Sequence, residues 1–264
     1  MKNDLTISLV QTNLYWEDKT KNLAQLEKQL AKIKSTDLIV LPEMFTTGFS
    51  MNAKALAETM DGPTVLWMKQ KAKSKKAAIC GSIIVEEKKK YYNRFCFVLP
   101  NGDVFTYDKR HLFSPAGENQ HYSAGKEKII VQYKDWNICP LVCYDLRFPV
   151  WSRIVNNEFD VLLYVANWPT VRNYAWEHLL IARAIENQSY VVGVNRVGKD
   201  AKGNDHNGSS CAVDMLGKVL AKGTDGKNWI KTLTLNKKNL EDYRDKLAFA
   251  KDADHFIIDY RVKG

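Results

Sequence analysis

Long apolar runs are missing from this chain of 264 residues. No stretch approaches the roughly 18 consecutive apolar residues that a membrane-spanning helix needs, so no membrane partner is expected. Met1-Lys2-Asn3-Asp4 leads straight into the strand-like Leu5–Gln11. That stretch is too short for a secretory leader, and no small-residue cleavage site follows it; a cytoplasmic location is expected. Cysteines are few and odd in number (Cys80, Cys96, Cys139, Cys143, Cys211), and none form the two-residue spacing of a redox or zinc motif. Free thiols in a reducing compartment fit better than a disulfide framework. The histidines carry no metal pattern, so no metal is expected. Arginine is scarce: nine of the 39 basic residues, against a net charge of +9. Nucleic-acid surfaces combine arginine with aromatic groups, so the lysine-dense segments Lys69–Lys76 and Lys88–Lys90 read as a solvated face with no nucleic-acid partner. Linkers, repeats and low-complexity segments are also absent, which predicts one domain over residues 1–264.

What is present alternates in period. Strands are predicted at Leu5–Gln11, Leu38–Leu41, Ala77–Val85, Arg94–Leu99, Asp103–Tyr107, Ile129–Gln132, Trp136–Val142, Val161–Ala166 and Tyr190–Asn195, with a final β portion at Gly208–Val213, Val219–Ala221 and Trp229–Leu235. Helices are predicted at Asn22–Ile33, Thr64–Lys75, Pro149–Asn156, Tyr174–Gln188 and Asn236–Asp245. Lys246–Gly264 is read as a tail. Alternation of this kind predicts an α/β fold. The loop Lys109–Lys126 is too long for a plain connector and is expected to be functional.

Three polar residues stand where apolar strands end: Glu43, Lys109 and Cys143. Sites in open α/β sheets form at carboxyl ends of strands. If these strands are neighbours, the carboxylate takes the thiol proton, the thiolate attacks, and the ammonium stabilises the oxyanion. A helix starting at Pro149 would offer Cys143 a lowered thiol pKa. The other reading of Cys143 is a core thiol filling a strand end, and of Glu43 and Lys109 a pair of solvated charges.

Leu41-Pro42-Glu43-Met44-Phe45, Asp108-Lys109-Arg110-His111-Leu112-Phe113 and Val142-Cys143-Tyr144-Asp145-Leu146-Arg147-Phe148-Pro149 resemble the three signature segments of the nitrilase (carbon–nitrogen hydrolase) superfamily. The resemblance runs from about Leu5 to the final helix. It implies a Glu-Lys-Cys triad (Glu43, Lys109, Cys143), a second glutamate at Glu118 within Gly117-Glu118, and a supporting helix around Arg183-Ala184-Ile185-Glu186-Asn187. It implies a four-layer αββα sandwich, pairing of subunits into a homodimer through helices near the active site, and no metal or organic cofactor. The tail, with Phe249, Phe256, Ile257 and Tyr260, either crosses to the partner or folds back on its own subunit.

The Cys143 segment together with Val165-Ala166-Asn167-Trp168-Pro169 resembles the bacterial omega-amidases, which release ammonia from 2-oxoglutaramate and 2-oxosuccinamate. The implied partner is therefore a small-molecule amide. Arg147 is a candidate clamp for its free carboxylate, or else a structural ion pair with Asp145 or another carboxylate. Tyr144, Trp168 and Phe45 either wall the pocket or pack in the core. The Tyr144 backbone N–H is the candidate second oxyanion donor. His111 and His121 are expected to make ordinary hydrogen bonds. Alternatives within the superfamily are a deaminated glutathione amidase or a carbamoylase: a closed pocket for a five-carbon skeleton favours omega-amidase, an open cleft a peptide-like substrate. An alternative of another class is a non-catalytic basic binding module.

Overall fold

The structure, a computed structural model, describes residues 4–254 and 256–258. In chain order it runs β1 (Leu5–Gln11), α1 (Lys19–Leu30), β2 (Leu38–Val40), α2 (Ala53–Leu56), α3 (Pro63–Lys75), β3 (Ala78–Glu87), β4 (Lys90–Val98), β5 (Val104–Asp108), α4 (Glu118–His121), β6 (Val131–Tyr133) and β7 (Trp136–Val142). It continues with α5 (Pro149–Ser152), β8 (Val161–Ala166), α6 (Asn173–Glu186), β9 (Tyr190–Asn195), β10 (Val197–Lys199), β11 (Asp205–Asn207), β12 (Cys211–Val213), β13 (Val219–Lys222), β14 (Trp229–Leu235) and α7 (Lys237–Lys246). Two six-stranded sheets result, ordered β14-β1-β2-β3-β4-β5 and β13-β12-β9-β8-β7-β6. In each, three central strands run parallel (β1, β2, β3 and β7, β8, β9) and the outer ones antiparallel.

Side-chain alternation builds the layers. Along β1 to β4, Leu5, Ile7, Leu9, Leu38, Val40, Ala78, Cys80, Phe95 and Phe97 join the core shared with the second sheet. Their neighbours Val10, Ile39, Ile79, Cys96 and Val98 turn outward onto Leu26 and Leu30 of α1 and Val65 and Met68 of α3. A period of two on strands buried on both faces gives this division. The second sheet is covered by Trp176, Leu180 and Ala184 of α6. The arrangement is the expected αββα layering, two sheets face to face with helices outside.

Helix ends follow local chemistry. The Asp18 carboxylate caps α1 by accepting from Lys21 N, and Pro63 opens α3. The helix predicted at Pro149–Asn156 is corrected: only the single turn Pro149–Ser152 forms, and a 3₁₀ turn, Cys143–Arg147, precedes it. Among the described residues of the tail, Phe249, Phe256 and Ile257 are exposed, while Ile258 packs against the central core. Tyr260 lies outside the described residues.

Candidate active site

Glu43 follows β2, Lys109 follows β5, Cys143 follows β7 and Asn167 follows β8. All four line one cavity of about 470 Å³, within the usual range for small-molecule sites. A larger groove, about 650 Å³, lies beside Gln29, Lys32 and Trp229 and holds none of them.

Glu43, Lys109 and Glu118 are fully buried. The Lys109 ammonium donates to Glu43 Oε1 at 2.9 Å and to both Glu118 oxygens at 3.1 and 2.9 Å. Its three donors are thereby used. Asn93 Nδ2 donates to Glu43 Oε1 at 2.8 Å and to Glu118 Oε1 at 3.1 Å. Phe113 N donates to Glu118 Oε2 at 2.6 Å, and Asn167 N to Glu43 Oε2 at 2.7 Å. Glu43 Oε1 therefore meets two donors and Oε2 one, so a carboxylate with about four lone-pair sites keeps free capacity on Oε2.

Burial opposes the Lys109 charge, but the Glu118 and Glu43 carboxylates outweigh it and hold the ammonium above the ordinary lysine value. Burial raises the Glu118 carboxyl; Lys109 pulls against that and Glu43 adds to it. Burial also pushes the Cys143 thiol well above its usual value, the Glu43 carboxylate pushes the same way, and Lys109 only partly opposes them. This corrects the expectation of a thiol lowered by a helix N-terminus. The helix at Pro149 is one turn long, too short to offset the burial of the thiol and the Glu43 charge. With its pKa raised, Cys143 is a thiol at neutral pH.

Cys143 holds φ at +46° and Met44, next to Glu43, +43°, the left-handed region that side chains rarely adopt. The loop after Lys109 is pinned by a close approach: Gly125 N donates to Lys109 O at 3.0 Å, and a Cβ on Gly125 would stand 2.0 Å from Asp108 O. From α6, Arg183 Nη2 donates to Leu146 O at 2.8 Å, bracing the turn that begins at Cys143, the supporting position expected for that helix.

The residues expected at the substrate divide. Tyr144, Arg147 and Trp168 line the cavity. The Arg147 guanidinium lies 4.9 Å from the Trp168 ring centroid and makes no ion pair among the described residues. Its pairing with Asp145 does not occur, because Asp145 is committed to Tyr107, His111 and Val142. Phe45 is a correction: it is wholly buried in the outer core under α3, its ring centroid 6.1 Å from that of Trp67. Gly81 makes room for it, since a Cβ there would sit 2.9 Å from Phe45 Cδ1.

Three residues were not anticipated. Asn93 is a buried polar residue of β4, flanked by Tyr92 and Arg94; it falls just before the strand predicted from Arg94, and nothing local in the sequence marks it. The Asn167 side chain donates to Glu43 O at 2.5 Å, which only the fold reveals. Arg172 lines the cavity opposite Phe113, 5.1 Å from its ring centroid. Burial lowers its pKa most, and the like-charged Arg147 adds to the effect.

Comparison with known proteins supplies a frame for this geometry. The carbon-nitrogen hydrolase family model matches residues 6–245. The chain is 46% identical to omega-amidase YafV of Escherichia coli (strain K12), over 96% of this chain and 98% of that protein. It is 35% identical to 2-oxoglutaramate amidase of Bacillus subtilis (strain 168), over 83% of this chain and 86% of that one. Among solved structures, XC1258 from Xanthomonas campestris, a CN-hydrolase superfamily protein with an arsenic adduct in its active site, is similar at a TM-score of 0.95 and 40% identity, covering 97% of this chain and 99% of that one.

Proposed function

The chain belongs to the carbon–nitrogen hydrolase family and is a hydrolase of linear amides, and from that premise we propose that it is an omega-amidase that releases ammonia from 2-oxoglutaramate. The observation that carries the reading is one cavity with two zones. Glu43, Lys109 and Cys143 form its reactive end, while Arg147 and Arg172 bring two guanidinium groups with no carboxylate paired to them among the described residues. A dicarboxylate monoamide needs that combination: a nucleophile for the amide and a bidentate cation for the free carboxylate. The names of the relatives point to the same substrate.

The reaction runs in two halves. Glu43 Oε2 takes the Cys143 proton and the thiolate attacks the amide carbon, forming the C–S bond and an oxyanion. The Tyr144 backbone N–H and the Lys109 ammonium receive that oxyanion. Lys109 frees a donor by relaxing from two contacts with Glu118 to one, which keeps Glu118 as the group that orients it. Glu43 returns the proton to the departing nitrogen as the C–N bond breaks. Ammonia leaves and a thioester remains. Glu43 then deprotonates water, which attacks the thioester; the C–S bond breaks, the thiolate regains its proton, and the 2-oxo acid departs. The chemistry calls for no metal or organic cofactor.

The same reading has the protein working in the cytoplasm, in keeping with its free cysteines, as a homodimer. The outer face of α6 supports that pairing: Tyr174 and Ile185 are exposed on it, with Val171 just before it and Leu216 beside it.

An ammonia-release panel of 2-oxoglutaramate, 2-oxosuccinamate, glutamine and deaminated glutathione tests the assignment. The oxo-acid amides are expected to be preferred. Arg147→Ala and Arg172→Ala should each raise KM for 2-oxoglutaramate by roughly tenfold or more, the worth of a hydrogen bond to a charged group. Preference for glutamine or deaminated glutathione would overturn it.

A further inference from the structure

We propose that Asp145 is the positioning residue that holds Cys143 and Lys109 in register, its single carboxylate clamping the nucleophile turn to the lysine loop. The proposal rests on the reading of Cys143 and Lys109 as the reacting pair.

Asp145 is fully buried and receives four hydrogen bonds. Tyr107 Oη donates to Oδ2 at 2.7 Å and Val142 N to the same oxygen at 3.0 Å. His111 N donates to Oδ1 at 2.9 Å, and its ring Nδ1–H, the tautomer a carboxylate selects, at 2.8 Å. Tyr107 stands two residues before Lys109 and His111 two after it, so the carboxylate grips both flanks of the lysine. Val142 precedes Cys143 and Asp145 follows it by two, so the same group closes the turn over the nucleophile. One side chain thus ties together the two strand ends whose separation decides whether an oxyanion formed at the sulfur meets the ammonium.

The donors are themselves fixed. Tyr107 Oη accepts from Trp151 Nε1 at 3.0 Å and from Arg110 N at 3.1 Å. The His111 ring stacks on Phe148 with centroids 3.7 Å apart and planes 7° from parallel. Cys143 sits at a left-handed φ of +46°, a conformation that costs free energy and persists only where the surroundings over-determine it. The bond from Val142 N to Asp145 spans that residue and supplies the constraint. None of the four donors touches the cavity's reactive atoms, and the Lys109 ammonium and Asp145 have separate partners. Asp145 acts through geometry rather than chemistry.

Asp145→Asn tests this. It keeps the shape but replaces one acceptor oxygen by an NH₂ that faces donors on either side. The expected result is a fall in kcat of about 10²-fold, the cost of an ångström-scale misplacement, with KM changed by less than about threefold. Alkylation of Cys143 by iodoacetamide, followed by mass and corrected against Cys143→Ala, should slow on the order of tenfold, since it depends on the thiol's local setting. Alkylation requires no amide turnover. Slowed alkylation in a protein inactive on 2-oxoglutaramate would uphold the clamp and overturn the substrate assignment. A folded Asp145→Asn protein with normal kcat and normal alkylation, or one with a lowered Tm alone, would overturn the clamp. If Asp145→Asn does not fold, Tyr107→Phe and His111→Phe each remove one donor and decide it: reduced kcat at constant KM upholds the clamp, and unchanged kcat in both refutes it.

Discussion

Replacing Lys109 by Met removes the one cation that stands between two fully buried carboxylates. Methionine fills a similar volume, so the change is electrostatic. Breaking a buried ion pair from one side costs about 3–5 kcal/mol, because the remaining charge keeps its desolvation penalty without a partner. At roughly 2 °C of Tm per kcal/mol for a domain of this size, Tm should drop by about 6–10 °C near pH 8. The pH dependence carries the sharper test. In the native protein Lys109 is held above its ordinary pKa by the two glutamates. Its contribution is therefore fully present below the lysine value of the unfolded chain and does not titrate between pH 5 and 8. The Glu118 carboxyl is raised above 4.5, so between that value and its folded value the folded state binds the extra proton, and stability falls as pH rises. Removing Lys109 takes away the group that opposes this shift and widens the window upward. The variant should recover part of its lost stability on acidification from pH 8 to pH 5.5, while the native protein changes much less. Circular-dichroism melts at the two pH values measure it, and ammonia release should fall by roughly 10²-fold or more, as for a lost oxyanion donor. A Lys109→Met protein with native Tm at pH 8 and no acid recovery would refute the description of this buried cluster.

Two further outcomes follow from the same geometry. Because burial and Glu43 push the Cys143 thiol well above 9.0, its alkylation rate by iodoacetamide should still be climbing at pH 9; a plateau below pH 8 would mean a preformed thiolate and remove the need for Glu43 as base. Phe45→Ala should cost about 3–5 kcal/mol by the usual penalty for emptying a core aromatic site, with KM for the amide unchanged; a raised KM in a protein of normal Tm would return Phe45 to the pocket wall.

Strand positions were legible in the sequence because their signal is local. Trp136–Val142, Val161–Ala166, Tyr190–Asn195 and Trp229–Leu235 form at the predicted bounds; the first three are mainly apolar runs and the last, Trp-Ile-Lys-Thr-Leu-Thr-Leu, is rich in β-branched residues, which leaves few alternatives. The segment after Cys143 was misread for an equally local reason. Pro149 marks a helix start well, but nothing nearby says how far the helix continues, and tertiary bonds decide: Ile154 N is claimed by Asn187 Oδ1 at 2.8 Å, across the fold, instead of extending the turn. The site shows the same division. Glu43, Lys109 and Cys143 announce themselves as polar residues ending apolar strands. Phe45, two residues past Glu43, has the same sequence context and points the other way, because the chain turns through Met44 at φ +43° and swings the ring beneath α3. A thiol pKa is less legible still. The helix start at Pro149 argued for a lowered value, and the opposite holds because the fold buries the thiol and sets the Glu43 carboxylate, far away in sequence, against it, with Lys109 opposing them only in part. Local pattern placed Cys143 at a strand end; burial and the Glu43 charge hold it as a thiol, which is why the proposed reaction gives Glu43 the task of base.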